Sequence, residues 1–438
     1  MSNLGENGGV DALPAQAPTR DDQGLRINGP TNHDSGNAAA EPIAIVGMGM
    51  RLPGHVYNGE DFWRMLTEKR NGLCRIPQDR FNVAGFQGEI GQPGTIPMTQ
   101  GYYLQDMDMR QFDTSFFSLS KGELRDMDPQ QRQLLQVAYE CMEDAGATSW
   151  QGGAIGCYVG VFSCDWQDLN AKDAEQTGVN RIICQEDFML ANRVSYEFDL
   201  RGPSMTVKTA CSSSLVSLDM ACAAIRQGDC DGALVCGSSL IMSPTTMLAL
   251  QDMGVLSASG TCRTFDALAD GYGRGEAFNA VYIKRLSRAI EDGDSIRAVI
   301  RGTSVNCDGR SNAMLMPSSA SQEALIRRAY EQAGISDLSA TAVFECHGTG
   351  TRIGDPLETA AVANCFGDEG IIITSVKPNV GHSEGAAGLT SLIKAVLALE
   401  HRQVPPNVFF ETPNPESAYG RVFVFALAWI AEYFVSSF

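Results

Sequence analysis

Histidine is scarce in this sequence, paired cysteines are missing, and positive charge is in deficit. Thirteen cysteines are scattered over 438 residues without a single CxxC pair, so neither a zinc ribbon nor a CxxC redox centre is written here. Lys and Arg number 33 against 52 Asp and Glu, a formal net charge of −19. Such an acidic chain is ill suited to nucleic acid or to an anionic membrane surface, which argues against both as partners. Long apolar runs are also lacking. Residues 422–431 give ten consecutive apolar positions, against the roughly 20 that a bilayer span needs. That segment reads as a buried strand or helix, or as a foreign tail, rather than as a membrane anchor. The N-terminus is polar and rich in Gly, Asn and Asp, unlike a secretory signal peptide. A cytoplasmic protein with reduced thiols is the expectation.

What is present begins late. Residues 1–41 hold few large apolar side chains and read as a disordered arm. Order starts at Pro42-Ile43-Ala44-Ile45-Val46-Gly47, a short apolar run typical of a buried strand. The Gly47-Met48-Gly49 that follows is not a dinucleotide fingerprint, because Leu52 stands where its third glycine belongs and Pro53 comes next. Further strands are expected at Gly156–Val161, Ser204–Thr209, Ala233–Val235, Val281–Ile283, Ala298–Ile300, Val343–Glu345 and Ile371–Val376. Between them run helical patterns. Asp128-Pro129-Gln130-Gln131 and Asp355-Pro356-Leu357-Glu358 both read as capping boxes at helix starts. Strands alternating with helices indicate a layered α/β fold.

The chemistry gathers at three points. Cys211 sits in Thr209-Ala210-Cys211-Ser212-Ser213-Ser214, where a strand pattern turns into a helix pattern marked by Leu215, Leu218, Ala221, Cys222 and Ile225. A thiol at a helix start faces free N–H groups and the positive dipole end, which favour thiolate. Two of only five histidines, His347 and His382, each follow a strand pattern and open a glycine-containing turn. Neutral imidazoles there can donate to an oxyanion or carry protons. Cys346 and His347 are adjacent and no pair shows the usual ligand spacing, so no metal site is expected. Gly381-His382-Ser383-Glu384-Gly385 matches the GxSxG elbow of serine acyltransferases. Lys377-Pro378-Asn379 separates it from its strand, though, and only His401 remains downstream. Gly293-Asp294-Ser295-Ile296, faintly like a phosphopantetheine attachment site, reads as a loop.

From Glu41 to about Pro415 the chain resembles the ketosynthase domain of type I polyketide synthases, nearest to fungal highly reducing ones. The resemblance rests on Pro42–Gly47, Arg51–Gly54, Met127–Arg132, Leu190–Ser195, Gly202–Ser204, Thr209–Ser214, Cys262–Asp266, Asp270–Glu276, Glu345–Thr351 with Gly354–Pro356, and Ser375–His382. It implies a thiolase-like fold of two similar α/β halves in an α-β-α-β-α arrangement, usually a homodimer. Residues 42–285 would form the half carrying the cysteine and 286–420 the half carrying both histidines, with 421–438 a divergent apolar tail. The resemblance casts Cys211 as the acyl-accepting nucleophile and His347, His382 and Lys377 as its catalytic partners, with Glu345, Thr349 and Thr351 near the substrate arm. No bound cofactor is implied. Acyl and malonyl thioesters would arrive on the phosphopantetheine arm of an acyl carrier protein on another chain. The family's terminal Asn-Ser-Phe-Gly-x-Gly-Gly-x-Asn stretch is missing after Asn414-Pro415, and Lys208 stands where relatives carry Asp or Asn. An incomplete, non-catalytic module that pairs with or regulates a full synthase is therefore the alternative.

Overall fold

The computed structural model describes residues 41–105, 107–172, 180–367, 370–418 and 422–424, and the backbone of 429–430. The arm expected over residues 1–41 lies outside them except for Glu41, whose carboxylate binds Arg285 at 2.7 Å and the Ser287 hydroxyl. Most of the 421–438 tail lies outside them as well.

A six-stranded mixed sheet forms the larger half. Its order is Ser204–Val207, Ile155–Val161, Gly232–Ser239, Ala277–Arg285, Ile43–Arg51 and Ala298–Ile300. Ile155–Val161 runs parallel to both of its neighbours, and the pairings from Gly232–Ser239 onward are antiparallel. Both faces are covered, so these strands read as continuous apolar runs rather than as alternations. On one face lie the helices Pro129–Asp144 and Met189–Glu197, and on the other Ser213–Gln227 and Ala387–His401.

The first strand shows how closely these layers approach. Ile43 and Ile45 enter one core and Ala44 and Val46 the other, as a two-residue period requires. A bulge between Ile45 and Gly47 then shifts the register by one. Beyond it Met48 and Met50 take the first core, while Gly47 and Gly49 face the helix Pro129–Asp144. A Cβ on Gly47 would lie 2.3 Å from the Cys141 carbonyl oxygen, and one on Gly49 would lie 2.4 Å from that of Val137. These glycines are there because helix backbone rests on strand backbone.

The second sheet is smaller. Val343–Glu345, Ile371–Thr374 and Val422–Val424 pair in parallel in the order 422, 371, 343. Its outer face packs on the helices Ser319–Gln332 and Gly354–Phe366 through Ile326, Tyr330, Val362 and Phe366. On its inner side Lys394, from the helix Ala387–His401, reaches Glu345 at 2.7 Å. Helices, sheet, helices, sheet and helices thus stack in the thiolase-like order expected from the sequence. A short antiparallel pair, Gln403–Val404 with Trp429–Ile430, lies beside this half.

Of the two capping boxes, one half-forms and one does not. Asp128 caps Gln130 N–H at 2.8 Å with Pro129 at the first helical position, but the Gln131 amide turns away to the Ile183 carbonyl. Asp355 lies inside the helix Gly354–Phe366, which has no side-chain cap. Its carboxylate is spent on neighbouring loops because it is buried and faces their N–H groups.

Candidate active site

Cys211 stands in a 3-10 turn, Ala210–Ser212, that runs from the strand Ser204–Val207 into the helix Ser213–Gln227. Ala210 has φ 57°, a left-handed backbone that a non-glycine residue adopts only when its surroundings hold it there. The serines supply that hold. Buried Ser213 accepts the Thr209 N–H at 2.8 Å and reaches the carbonyls of Val161 and Ala210. Buried Ser214 accepts the Leu389 N–H at 3.2 Å and so ties the turn to the helix Ala387–His401. The sharp turn carries the sulfur out at the helix start.

His347 follows the strand Val343–Glu345 directly, and its loop is folded by two carboxylates. Glu358 accepts the N–H of His347 at 2.6 Å and that of Gly348 at 2.8 Å. Asp355 accepts those of Phe265 and Gly350 at 2.7 and 3.0 Å. Lys377, 1% exposed, donates its ammonium to the His347 carbonyl. His382, 2% exposed, follows the short helix Lys377–Val380. The two imidazoles meet edge to face with centroids 5.2 Å apart, and Tyr272 packs on His382 at 4.8 Å. The sulfur of Cys211 and one ring nitrogen from each of His347 and His382 all lie within 4.8 Å of one another. Three residues separated by up to 171 positions in the chain thus converge on a space of one reacting atom.

The electrostatics of this space differ from the expectation. Burial pushes the Cys211 thiol above its ordinary range, the Glu384 carboxylate adds to that, and Lys377 opposes it. The thiolate favoured by a helix start is therefore corrected to a thiol that keeps its proton at rest, because desolvation disfavours the anion. Burial and then Lys377 hold the His347 imidazole well below the usual histidine range, although the residue retains exposed surface. His382 is held down by burial, Lys377, His347 and Arg274 in that order. Both shifts favour the neutral imidazole.

Neutrality alone leaves open which nitrogen carries the proton, and for His382 the structure assigns it. The Glu384 N–H donates to His382 Nδ1 at 3.2 Å, so Nδ1 holds a lone pair and the ring proton sits on Nε2. That tautomer makes His382 a hydrogen-bond donor. It also unfits the ring as a metal ligand, since one nitrogen is occupied and the other protonated.

The remaining expected residues fall at different depths. Glu345 has both oxygens engaged, one by the Val376 N–H at 2.7 Å and the other by Lys394 and the Thr374 hydroxyl. It braces the floor behind His347 rather than facing the substrate side. Thr349 and Thr351 are adjacent, their hydroxyls 3.1 Å apart, and Thr351 also accepts the Gly354 N–H. Ser383 is 1% exposed, with Thr390 Oγ1 at 3.3 Å, so the GxSxG serine is packed away from any base. His401 stacks on Trp63 with centroids 4.3 Å apart and takes no part in this cluster. Asp355, Glu358, Tyr272, Arg274 and Glu384 were read from the sequence only as parts of motifs, none as a site residue. Their types signal nothing until the fold brings them behind the histidines.

Comparison with known proteins agrees with this layout. Residues 40–289 match the family model described as beta-ketoacyl synthase, N-terminal domain, and residues 297–411 match that of the C-terminal domain. A highly reducing polyketide synthase of Purpureocillium lilacinum is 68% identical over 87% of this chain, and one of Glarea lozoyensis is 57% identical over 87%. The chain spans 14% and 15% of their respective lengths. Among solved structures, an oxazolomycin ketosynthase domain from Streptomyces albus superposes with a TM-score of 0.82 at 34% identity, covering 89% of this chain and 68% of that one. The ketosynthase from module 6 of the bacillaene synthase of Bacillus subtilis gives 0.82 at 33% identity, covering 90% and 67%.

Proposed function

Because this chain belongs to the beta-ketoacyl synthase family, we propose that it joins acyl units by decarboxylative Claisen condensation in polyketide assembly. Cys211 first exchanges with an acyl thioester. A carbon–sulfur bond forms to Cys211, the bond to the carrier's pantetheine sulfur breaks, and the thiol proton ends on the departing sulfur. A malonyl thioester then enters and loses neutral carbon dioxide, and the electron pair of the broken C–C bond becomes an enolate. The His382 Nε2–H, joined by the neutral His347, stabilises the enolate oxygen. The enolate carbon attacks the Cys211 thioester and expels the sulfur, which takes up a proton.

The acyl and malonyl groups arrive on the phosphopantetheine arm of an acyl carrier protein, with Thr349 and Thr351 beside the arm. No resident cofactor or metal enters any step. Lys377 keeps the imidazoles neutral and pins the His347 loop, and Glu345 holds the strand end beneath it. The working form is a homodimer in the cytoplasm, served by an acyl carrier protein. Among the described residues no helix is long and apolar enough to cross a membrane.

One observation carries the reading: a cysteine sulfur and two imidazole nitrogens within 4.8 Å of one another. A module that only pairs with other synthases would have no use for that convergence. The test is intact-protein mass spectrometry after exposure to an acyl carrier thioester. The expected result is one added acyl group, lost entirely in Cys211→Ala. Acylation that survives in Cys211→Ala would sink the proposal, as would none in the unmodified chain.

A further inference from the structure

We propose that Arg274 and Glu384 form a buried pair of positioning residues that sets the tautomer of His382 and the reactivity of Cys211. The inference deepens the ketosynthase reading and rests on it for the role of these two side chains.

The segment Gly273–Gly275 runs alongside His382 as a short parallel bridge. The His382 N–H donates to the Gly273 carbonyl and the Gly275 N–H to the His382 carbonyl, both at 2.8 Å. Arg274 sits between those two bonds, so its backbone is fixed to that of His382. Its side chain is 2% exposed and donates Nε–H to Glu384 Oε1 at 3.3 Å. Glu384, 3% exposed, comes two residues after His382 and has φ 44°. That left-handed backbone turns its N–H back onto His382 Nδ1, and the ion pair to Arg274 keeps it turned. Tyr272 closes the clamp, with its ring packed edge-on against the imidazole at 4.8 Å. The imidazole is thus gripped at its backbone, its face and its inner nitrogen by one connected set.

A buried ion pair is poor evidence for stability, since desolving both charges costs as much as their attraction returns. Arg274 shows that cost: Nη1 and Nη2 are buried without a hydrogen-bond partner. A guanidinium kept there at such expense, paired with a carboxylate two residues from the ring it braces, points to function. The charged and titratable groups that face the cluster are Lys377, His347, Asp165, Tyr103 and Tyr272. At the Cys211 sulfur Glu384 and Lys377 act in opposite senses, and Arg274 is the cation bonded to that carboxylate.

The test is the rate at which iodoacetamide alkylates Cys211 between about pH 7 and 9, read by fragmentation of the peptide that follows Lys208. Glu384→Gln keeps the backbone and removes the charge, so alkylation at a given pH becomes severalfold faster. Arg274→Gln unmasks the carboxylate and makes it slower, and the double variant returns to the Glu384→Gln rate. A merely structural role moves both single variants in the same direction, and that result, or no change in either, overturns the proposal. If a variant does not fold, nitrogen-15 shifts of His382 in the unmodified protein decide. An Nε2–H tautomer sustains the clamp and an Nδ1–H tautomer overturns it. Alkylation that shifts as stated in a chain that takes no acyl group would sink the ketosynthase reading and leave this pair standing.

Discussion

The two sheets of this protein are built to different standards. In the six-stranded sheet the central strands Ile155–Val161, Gly232–Ser239 and Ala277–Ile283 have every residue buried, under helices on both faces. In the three-stranded sheet Val343–Glu345 is only half-buried throughout, and the neighbouring helix Ser319–Gln332 buries none of its residues. The nucleophile grows from the first sheet and His347 from the second. Reactivity therefore depends on a rigid half presenting sulfur to a looser half presenting nitrogen. The looser half compensates locally, since the Glu358, Asp355, Lys377 and Glu345 contacts fix the His347 loop, while the His382 segment is buried throughout.

Four outcomes test this contrast, beginning with the complete loss of acylation in Cys211→Ala stated above. Next in size is His347→Ala, which removes one donor to the enolate oxygen. Decarboxylation of a malonyl thioester is expected to slow by about 10²–10³ while acylation of Cys211 persists. If both steps fell together, the looser half would be holding the nucleophile and the contrast would break. Third comes a matched pair of truncations read by urea unfolding. Leu234→Ala, fully buried in the large sheet, should cost about 2–5 kcal/mol. Val343→Ala, half-buried in the small one, should cost about 1 kcal/mol. Equal costs would show the sheets to be packed alike.

The smallest effect is one of pH. Both imidazoles are held below their ordinary range in the folded state, so the unfolded chain binds more protons below about pH 6.5. Stability from these groups is whole above that value and declines as pH falls toward the depressed native values. Asp355, pushed up to about 7, acts in the opposite sense: its contribution is lost as pH rises from about 4 to about 7. His382→Gln should therefore flatten the acid-side decline in the urea midpoint below about pH 6.5. An unchanged slope would place the titration elsewhere.

Much of this was legible beforehand, and the reason is local encoding. Strand Ile43–Arg51 announces itself by its apolar run, the helix from Pro129 by its cap, and the turn at Cys211 by a strand pattern meeting a helix pattern. The nucleophile and both histidines could be named because thiols and imidazoles in turns are chemically distinctive. What stayed hidden was relational. Glu358 looked like half of a capping box, and nothing in its spacing says that it holds the His347 loop. The state of Cys211 was also hidden, because a helix start is visible in sequence while the burial that outweighs it is not. Glu345 was placed on the substrate side by resemblance. Lys394, 49 residues onward, is the partner that turns it away.

The bulge near the start of the chain has a consequence for how this protein tolerates change. It acts as a half-step in a staircase, letting large side chains below the step and bare backbone above it meet the same two neighbours in opposite order. Adding one more residue ahead of Met48 would leave the sequence almost unaltered yet swing Met48 and Met50 onto a helix with room for hydrogen alone. The first strand can therefore drift in composition far more safely than it can drift in length.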